Sequence, residues 1–364
     1  MKEELLYQIA LTMIPGIGDI HAKALINCFQ DPKEIFNAPK RLLEKVEGIG
    51  AIKAKKIKSF DLFSKCEDEI KFLEKYKITP LFFTDTNYPK RLNHCYDSPI
   101  LLYYKGTADL NSLKILSVIG TRKNSFYGKE VCEEFIKSFD KEILIVSGLA
   151  YGIDTIAHKA ALRNNLQTVG VVAHGLNRIY PLENKSLAKQ MVINGGLLTD
   201  FCSFSKPDRE NFPKRNRIIA GICDAILVIE SGLKGGSMIT AEIANSYNKD
   251  VFCVPGKIND EKSEGSNYLI RKNLGTLTTS AEQIIEFMNW EEDKKPKVKI
   301  QKELFIELSE NENLIASILK KGETSIDVLM ASGLSSGSIA AALLNMEMQG
   351  LINILPGKRY SWIG

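Results

Sequence analysis

Six short apolar segments between residues 115 and 254, each closed by a loop of small or basic residues, constrain this chain more than any other feature. The first, Ile115-Leu116-Ser117-Val118-Ile119, runs into Gly120-Thr121-Arg122-Lys123-Asn124-Ser125 and then an amphipathic pattern. The others are Ile143–Val146, Thr168–Ala173, Gly196–Thr199, Ala225–Ile229 and Val251–Val254. Short apolar runs bounded by glycine read as buried strands, and the stretches between them carry helical spacing. Strands of this kind alternating with helices specify a parallel, doubly wound α/β sheet of Rossmann type. In such a sheet the loops that follow the strands gather at one edge, where ligands bind.

The contents of those loops point to an anion. Gly120, Gly148, Gly235 and Gly236 permit close backbone approach, and Ser237 opens a helix whose free amides can take a phosphate. Thr121 brings a hydroxyl beside Arg122, and Ser147 and Asn184 lie in the neighbouring loops. Arg122, Lys185, Arg215 and Arg217 supply charge, the arginines as forked donors. The segment Lys206–Arg217 holds five basic residues against two acidic ones. Arg217 has a structural alternative in a pair with Asp224, and Lys206 and Arg209 in plain solvation.

Catalytic readings find less support. No Gly-x-Gly-x-x-Gly follows the first strand, and no acid is spaced for a ribose. The histidines, at 21, 94, 158 and 174, have no metal-ligand spacing. His158, inside Ala-His-Lys-Ala-Ala-Leu, reads as a packing residue, and Asp154 or Thr155 as a helix cap. No nucleophile, base and orienting group assemble from the loops, so no cofactor, metal or enzymatic activity is expected.

The N-terminal segment, residues 1–60, contains a repeat. Ile14-Pro15-Gly16-Ile17-Gly18 with Ala22 is echoed by Val46-Glu47-Gly48-Ile49-Gly50 with Ala54. The glycines allow a tight turn between two helices, and the second helix opens with free amides. The pair resembles a tandem helix-hairpin-helix, or SAM-like, domain, fit for backbone phosphate or for a purely structural role. A charged helix in 61–79 connects it to the sheet domain, 80–289. A proline-bearing linker, 290–303, then leads to residues 304–364, which read as three helices and a two-stranded wing. The third helix of this winged-helix pattern, Ser335–Gly350, contains no lysine or arginine, which disfavours groove reading and favours protein contact.

Composition agrees with this organisation. A chain of 364 residues exceeds one ordinary core, and no apolar run approaches the ~20 residues that span a bilayer. Seven scattered cysteines and an acidic N-terminus, Met1-Lys2-Glu3-Glu4, lead us to expect reduced thiols and a cytoplasmic protein with no membrane partner.

The motifs themselves resemble a known family. Ser117-Val118-Ile119-Gly120-Thr121-Arg122, Ser147-Gly148-Leu149-Ala150-Tyr151-Gly152-Ile153-Asp154 with Ala157-His158, and Tyr180-Pro181 with Asn184-Lys185 are similar to those of the DprA/Smf family. So are Phe212-Pro213 with Arg215-Asn216-Arg217-Ile218-Ile219-Ala220-Gly221, and Gly236-Ser237 with Thr240-Ala241. The resemblance covers about residues 80–285 and implies an extended Rossmann domain. It further implies sequence-independent binding of single-stranded DNA, a homodimer, and delivery of the strand to the RecA recombinase in natural transformation. Thr121 stands where serine is common in the motif. The competing class is a phosphoribohydrolase of the lysine-decarboxylase-like fold. Gly235-Gly236 and Glu242 have its spacing, but Met238 and Ile239 replace its glycine and threonine.

Overall fold

The computed structural model describes residues 2–291, 308–355 and 357–363. The chain divides into two compact units, residues 1–291 and 292–364.

The first unit opens with helices Lys2–Met13, Asp19–Phe29, Pro32–Asn37, Lys40–Leu43, Ala51–Lys58 and Phe63–Tyr76. Both Gly-Ile-Gly repeats form hairpins. Gly16 and Gly48 adopt φ of 83° and 77°, the left-handed turn that glycine supplies without strain. Gly18 and Gly50 then cap the following helices with extended backbone and no side-chain hydrogen bond. A side chain at Gly48 would also press on the His21 ring, 2.9 Å away. Ile9, Leu25, Leu43, Ile49 and Ile57 pack in one core with Phe82, Ile100, Leu101 and Tyr103. The last four belong to the sheet domain or its approach, so the helical region and the sheet share apolar contacts within a single unit.

The sheet has nine strands: β1 (Thr79–Phe82), β2 (Leu101–Gly106), β3 (Lys114–Ile119), β4 (Ile143–Ser147), β5 (Thr168–Val171), β6 (Gly195–Thr199), β7 (Ala225–Val228), β8 (Asp250–Cys253) and β9 (Thr276–Leu277). Their order is β1-β2-β6-β5-β4-β3-β7-β8-β9. Strands β3 to β9 pair in parallel, and β1 and β2 extend the edge antiparallel through β6. Alternate residues of the central strands serve opposite faces, as the pleat requires. Ile115, Ile119, Leu144, Val146, Ile226 and Val228 join one core, whereas Leu116, Val118, Ile143, Ile145, Ala225 and Leu227 join the other. Helices cover both faces, which is why these strands lack polar alternation. The chain moves outward from β3 through β4 and β5, then returns to β7 on the opposite side of β3. That reversal opens a crevice at the carboxyl ends of β3 and β7.

Trp290, expected in the linker, is instead buried in the core beneath β3 and β4. From residue 292 the expected linker lies outside the described residues.

In the second unit, Ser309 and Glu312 form a reciprocal capping box on the helix Glu310–Leu319. Helices Ile326–Met330 and Ser336–Met348 follow. The wing has three strands, not two: β10 (Thr324–Ser325) pairs with β12 (Arg359–Trp362), which pairs with β11 (Ile352–Leu355). Ile315, Leu329, Ile339, Leu343 and Met346 form its core, and the third helix leaves Leu344 and Met348 exposed.

All seven cysteines are free; six are buried and Cys28, on the helix Asp19–Phe29, is exposed. Among the described residues no helix is long and apolar enough to cross a membrane.

Candidate nucleic-acid interface

The loop after β3 is rigidly held. Thr121 N donates to Glu230 O at 2.7 Å, and Ile153 N donates to Thr121 O at 3.2 Å. Ser125 caps the helix Phe126–Ser138 by accepting from Gly128 N at 3.0 Å. Ser125 N donates to Glu230 Oε2 at 2.8 Å, and its hydroxyl donates to Glu230 Oε1. The Glu230 side chain therefore lies buried under the loop, against Gly128, where any Cβ would come within 2.3 Å of its carboxylate. Gly120 is equally constrained, with a Cβ falling 2.6 Å from Ile153 Cγ1. Sequence reasoning missed Glu230; an acid directly after a central strand, beside the glycine loops, was the available signal.

This scaffold presents Arg122 and Lys123 to solvent. The Arg122 guanidinium carbon stands 5.2 Å from the Phe212 ring centre, and that of Arg215 stands 6.0 Å from the same ring. Tyr180, half-exposed and joined to Pro181 by a cis peptide bond, meets Phe212 edge-on at 6.0 Å. Tyr151 is exposed nearby in the β4 loop, its hydroxyl donating to Glu183 Oε2 at 2.7 Å.

A cleft of about 590 Å³ opens at the switch between β3 and β7. Of the residues expected to bind, Gly120, Thr121, Arg122, Arg215, Gly235, Gly236 and Ser237 line it. The exposed charges in its lining are Arg122, Lys123, Arg209 and Lys234, all basic; its one carboxylate, Asp154, is buried. Gly235, at φ 156°, leads into the helix Gly236–Ser246 without a side-chain cap, and nothing stands within 4 Å of a Cβ built there. The first amides of that helix thus remain open beside the basic rim, an arrangement suited to an anion. Ser237 Oγ bonds Ser231 Oγ at 2.7 Å.

The remaining expected residues have other placements. Ser147 is buried and donates to Val118 O at 2.6 Å. Asn184 is buried, its amide donating to Leu149 O at 3.0 Å and Thr155 Oγ1 at 2.8 Å, which ties the β5 loop to the β4 loop. Lys185, next in sequence, opens the helix Lys185–Ile193 and is exposed. Gly148 lies against Asp154 and Arg215: a Cβ there would stand 2.7 Å from Asp154 Oδ2 and 2.8 Å from Arg215 Nη2. Arg215 is buried, donating to Gly148 O at 2.6 Å and to Val171 O, and burial lowers its pKa to about 10.

Three readings need correction. Arg217 does not pair with Asp224, which is engaged by Arg91 at 2.5 Å. It lies instead 2.9 Å from both Asp19 and Asp200, away from the cleft lining. Asp154 is not the helix cap: Gly152, with φ 77°, occupies that position. The Asp154 carboxylate accepts from Ala150 N at 3.3 Å, and burial pushes its pKa up while Arg215 opposes the shift. Nor does Thr155 cap the helix, since its hydroxyl donates to Ala150 O at 2.6 Å. His158 is buried, with Nδ1 2.6 Å from Thr168 Oγ1; burial pushes its pKa down to about 3. Among the described residues no group of His, Cys, Asp and Glu is arranged to hold a metal ion.

Comparison with known proteins shows the family of the chain. The family model for DNA recombination-mediator protein A matches residues 79–289, more than half the chain. The chain belongs to the DprA/Smf family. Models for the DprA winged-helix domain and a SAM-like helix-hairpin-helix tandem match residues 306–358 and 9–60. The Smf protein of Synechocystis is 30% identical over 99% of both chains. The DNA processing protein DprA of Streptococcus pneumoniae is 37% identical over 62% of this chain and 84% of its own. The crystal structure of that DprA aligns with a TM-score of 0.68 and 31% identity, covering 77% of this chain and 97% of the other. A second DprA structure, from Helicobacter pylori and described for its single-stranded DNA binding mode, aligns with a TM-score of 0.54 and 28% identity. It covers 59% of this chain and 96% of its own.

Proposed function

We propose that this DprA/Smf member binds single-stranded DNA without sequence preference across the carboxyl edge of its sheet and hands it, as a homodimer in the cytoplasm, to a RecA recombinase. The observation that carries the reading is the Arg122–Phe212–Tyr180 group beside a cleft whose exposed lining charges are all basic. Arg122 forks onto a phosphate, the open amides at Gly236 and Ser237 take the next, and Lys185 adds a point charge. Tyr180 and Tyr151 offer exposed rings on which any base can stack, a sequence-tolerant contact. Single strands are favoured because a duplex hides the base faces that these rings need. The Helicobacter pylori relative, described as a single-strand binder, supports the same assignment.

The phosphoribohydrolase reading loses its glutamate: Glu242 is exposed on the helix Gly236–Ser246 and is not among the cleft-lining residues. A gel-shift comparison of single and double strands of matched length tests the proposal. Preference for the duplex, or nucleotide turnover that Glu242→Ala abolishes, would overturn it.

A further inference from the structure

Arg215 and Arg217 stand two residues apart on the helix Asn211–Ile222, yet they serve different neighbours. Arg215 reaches the sheet edge at Gly148 O and Val171 O. Arg217 Nη2 lies 2.9 Å from Asp19 Oδ2 and 2.9 Å from Asp200 Oδ2, and Nη1 donates to Asp97 O. Asp19 is the first residue of the helix after the first Gly-Ile-Gly turn. Its other oxygen accepts from Ile100 N at 2.9 Å, and one turn along the same helix Lys23 Nζ donates to Ser98 Oγ at 2.5 Å. A second tie comes from the helix Phe63–Tyr76, where Glu69, 2% exposed, accepts from Ser203 N at 2.9 Å and from the Ser203 hydroxyl at 2.5 Å.

The two hairpins have therefore diverged in use. At the first, a carboxylate occupies the start of the helix and is already turned to Arg217, so an incoming phosphate would meet like charge. At the second, the helix Ala51–Lys58 has no acid in its first turn. The first hairpin is tied to residues 98–100 and, through Arg217, to the helix that carries Phe212 and Arg215 to the cleft.

We propose that Arg217 is a positioning residue for the DNA cleft: paired with Asp19, it fastens the N-terminal helical region to the helix Asn211–Ile222 and so fixes Phe212 behind Arg122. The inference rests on the single-strand reading of that cleft. It also reverses the role that charge density suggests for Arg217, because a direct phosphate contact would gain from losing a nearby carboxylate, whereas a positioning pair would suffer.

The test uses the full-length protein, a fluorescent oligothymidylate and a series of salt concentrations. Asp19→Asn keeps an acceptor for Ile100 N and leaves Arg217 its partner Asp200, so the fold persists. We expect it to weaken binding roughly three- to tenfold, with the slope of log affinity against log salt unchanged. Arg217→Ala should match or exceed that loss, also at unchanged slope, and Arg217→Lys should recover part of it. Tighter or unaltered binding by Asp19→Asn overturns the proposal, as does a slope reduced by about 0.7 in Arg217→Ala, the value for one lost phosphate contact. Should the parent bind no oligothymidylate, the single-strand reading fails by itself. Hydrogen exchange then decides the positioning role: Asp19→Asn must loosen the amides of 211–222, and unchanged protection overturns it.

Discussion

Arg122→Ala tests the contact on which the proposed interface depends most. The residue is exposed, it is held on a loop pinned by Glu230, and its guanidinium is already oriented by the Phe212 ring 5.2 Å away. Little ordering remains to be done when a phosphate arrives, so most of a charge-assisted contact, about 1.5–3 kcal/mol, should appear as affinity. That corresponds to a loss of roughly ten- to a hundredfold. Folding stability should change far less. The lost stacking on Phe212 is an exposed cation–π contact of about 0.5–1 kcal/mol, and the backbone anchors of the loop do not involve the side chain. Fluorescence anisotropy with oligothymidylate and with oligodeoxycytidylate should give equal losses, since phosphate carries no base identity. The salt slope should shrink by about 0.7. Arg122→Lys should recover only part of the affinity, because an ammonium neither forks nor stacks. Normal binding by Arg122→Ala at an unchanged melting temperature would refute the reasoning, and so would a loss that differs between the two base compositions.

Gly148→Ala should weaken binding and cost about 1–3 kcal/mol of stability, measured by urea unfolding, because the new methyl would displace Arg215 and Asp154. Glu230→Ala strips the β3 loop of its buried acceptor; we expect a loss of about 1.5–3 kcal/mol and faster hydrogen exchange at 121–125. His158 sets an acid limit. Its folded pKa of about 3 lies below the ordinary 6.5, so the unfolded chain binds the extra proton between those values and stability falls as pH drops through that window. The slope is at most about 1.4 kcal/mol per pH unit. His158→Phe should unfold with a shallower dependence over the same range. Truncation after about residue 290 should leave oligothymidylate affinity within roughly tenfold, since the third helix of the second unit has no basic side chain to contribute.

Strands β3 to β8 were legible because they are buried on both faces, and short unbroken apolar runs have few other uses; β9, two exposed residues, left no such run. The antiparallel edge was less so: β1 and β2 pair through residues far apart in sequence, and β10, two residues long, has no pattern at all. Around the cleft, glycine followed by a hydroxyl and an arginine marked the β3 loop in the sequence, and Gly235-Gly236-Ser237 marked the helix start that lines the same cleft. Side-chain partners were not legible. The density of basic residues in 206–217 gave no sign that Arg217 would meet Asp19, almost two hundred residues earlier in the chain, or that Arg215 would turn inward to carbonyl oxygens. Asp154 misled for a local reason, since Gly152 takes the capping position with a backbone conformation that only glycine adopts freely.

The cysteine pattern has a practical consequence. A thiol reacts through its thiolate, and burial pushes Cys66, Cys95 and Cys223 up to about 11 and Cys202 and Cys253 up to about 12, with Cys132 higher still. At neutral pH a maleimide dye should therefore attach to the unaltered chain at Cys28 alone. Cys28 rides on the helix that begins at Asp19, so the dye sits on the docked hairpin itself. Energy transfer between that dye and an acceptor placed along an oligonucleotide would report, without a single substitution, how far the helical region lies from each part of a bound strand.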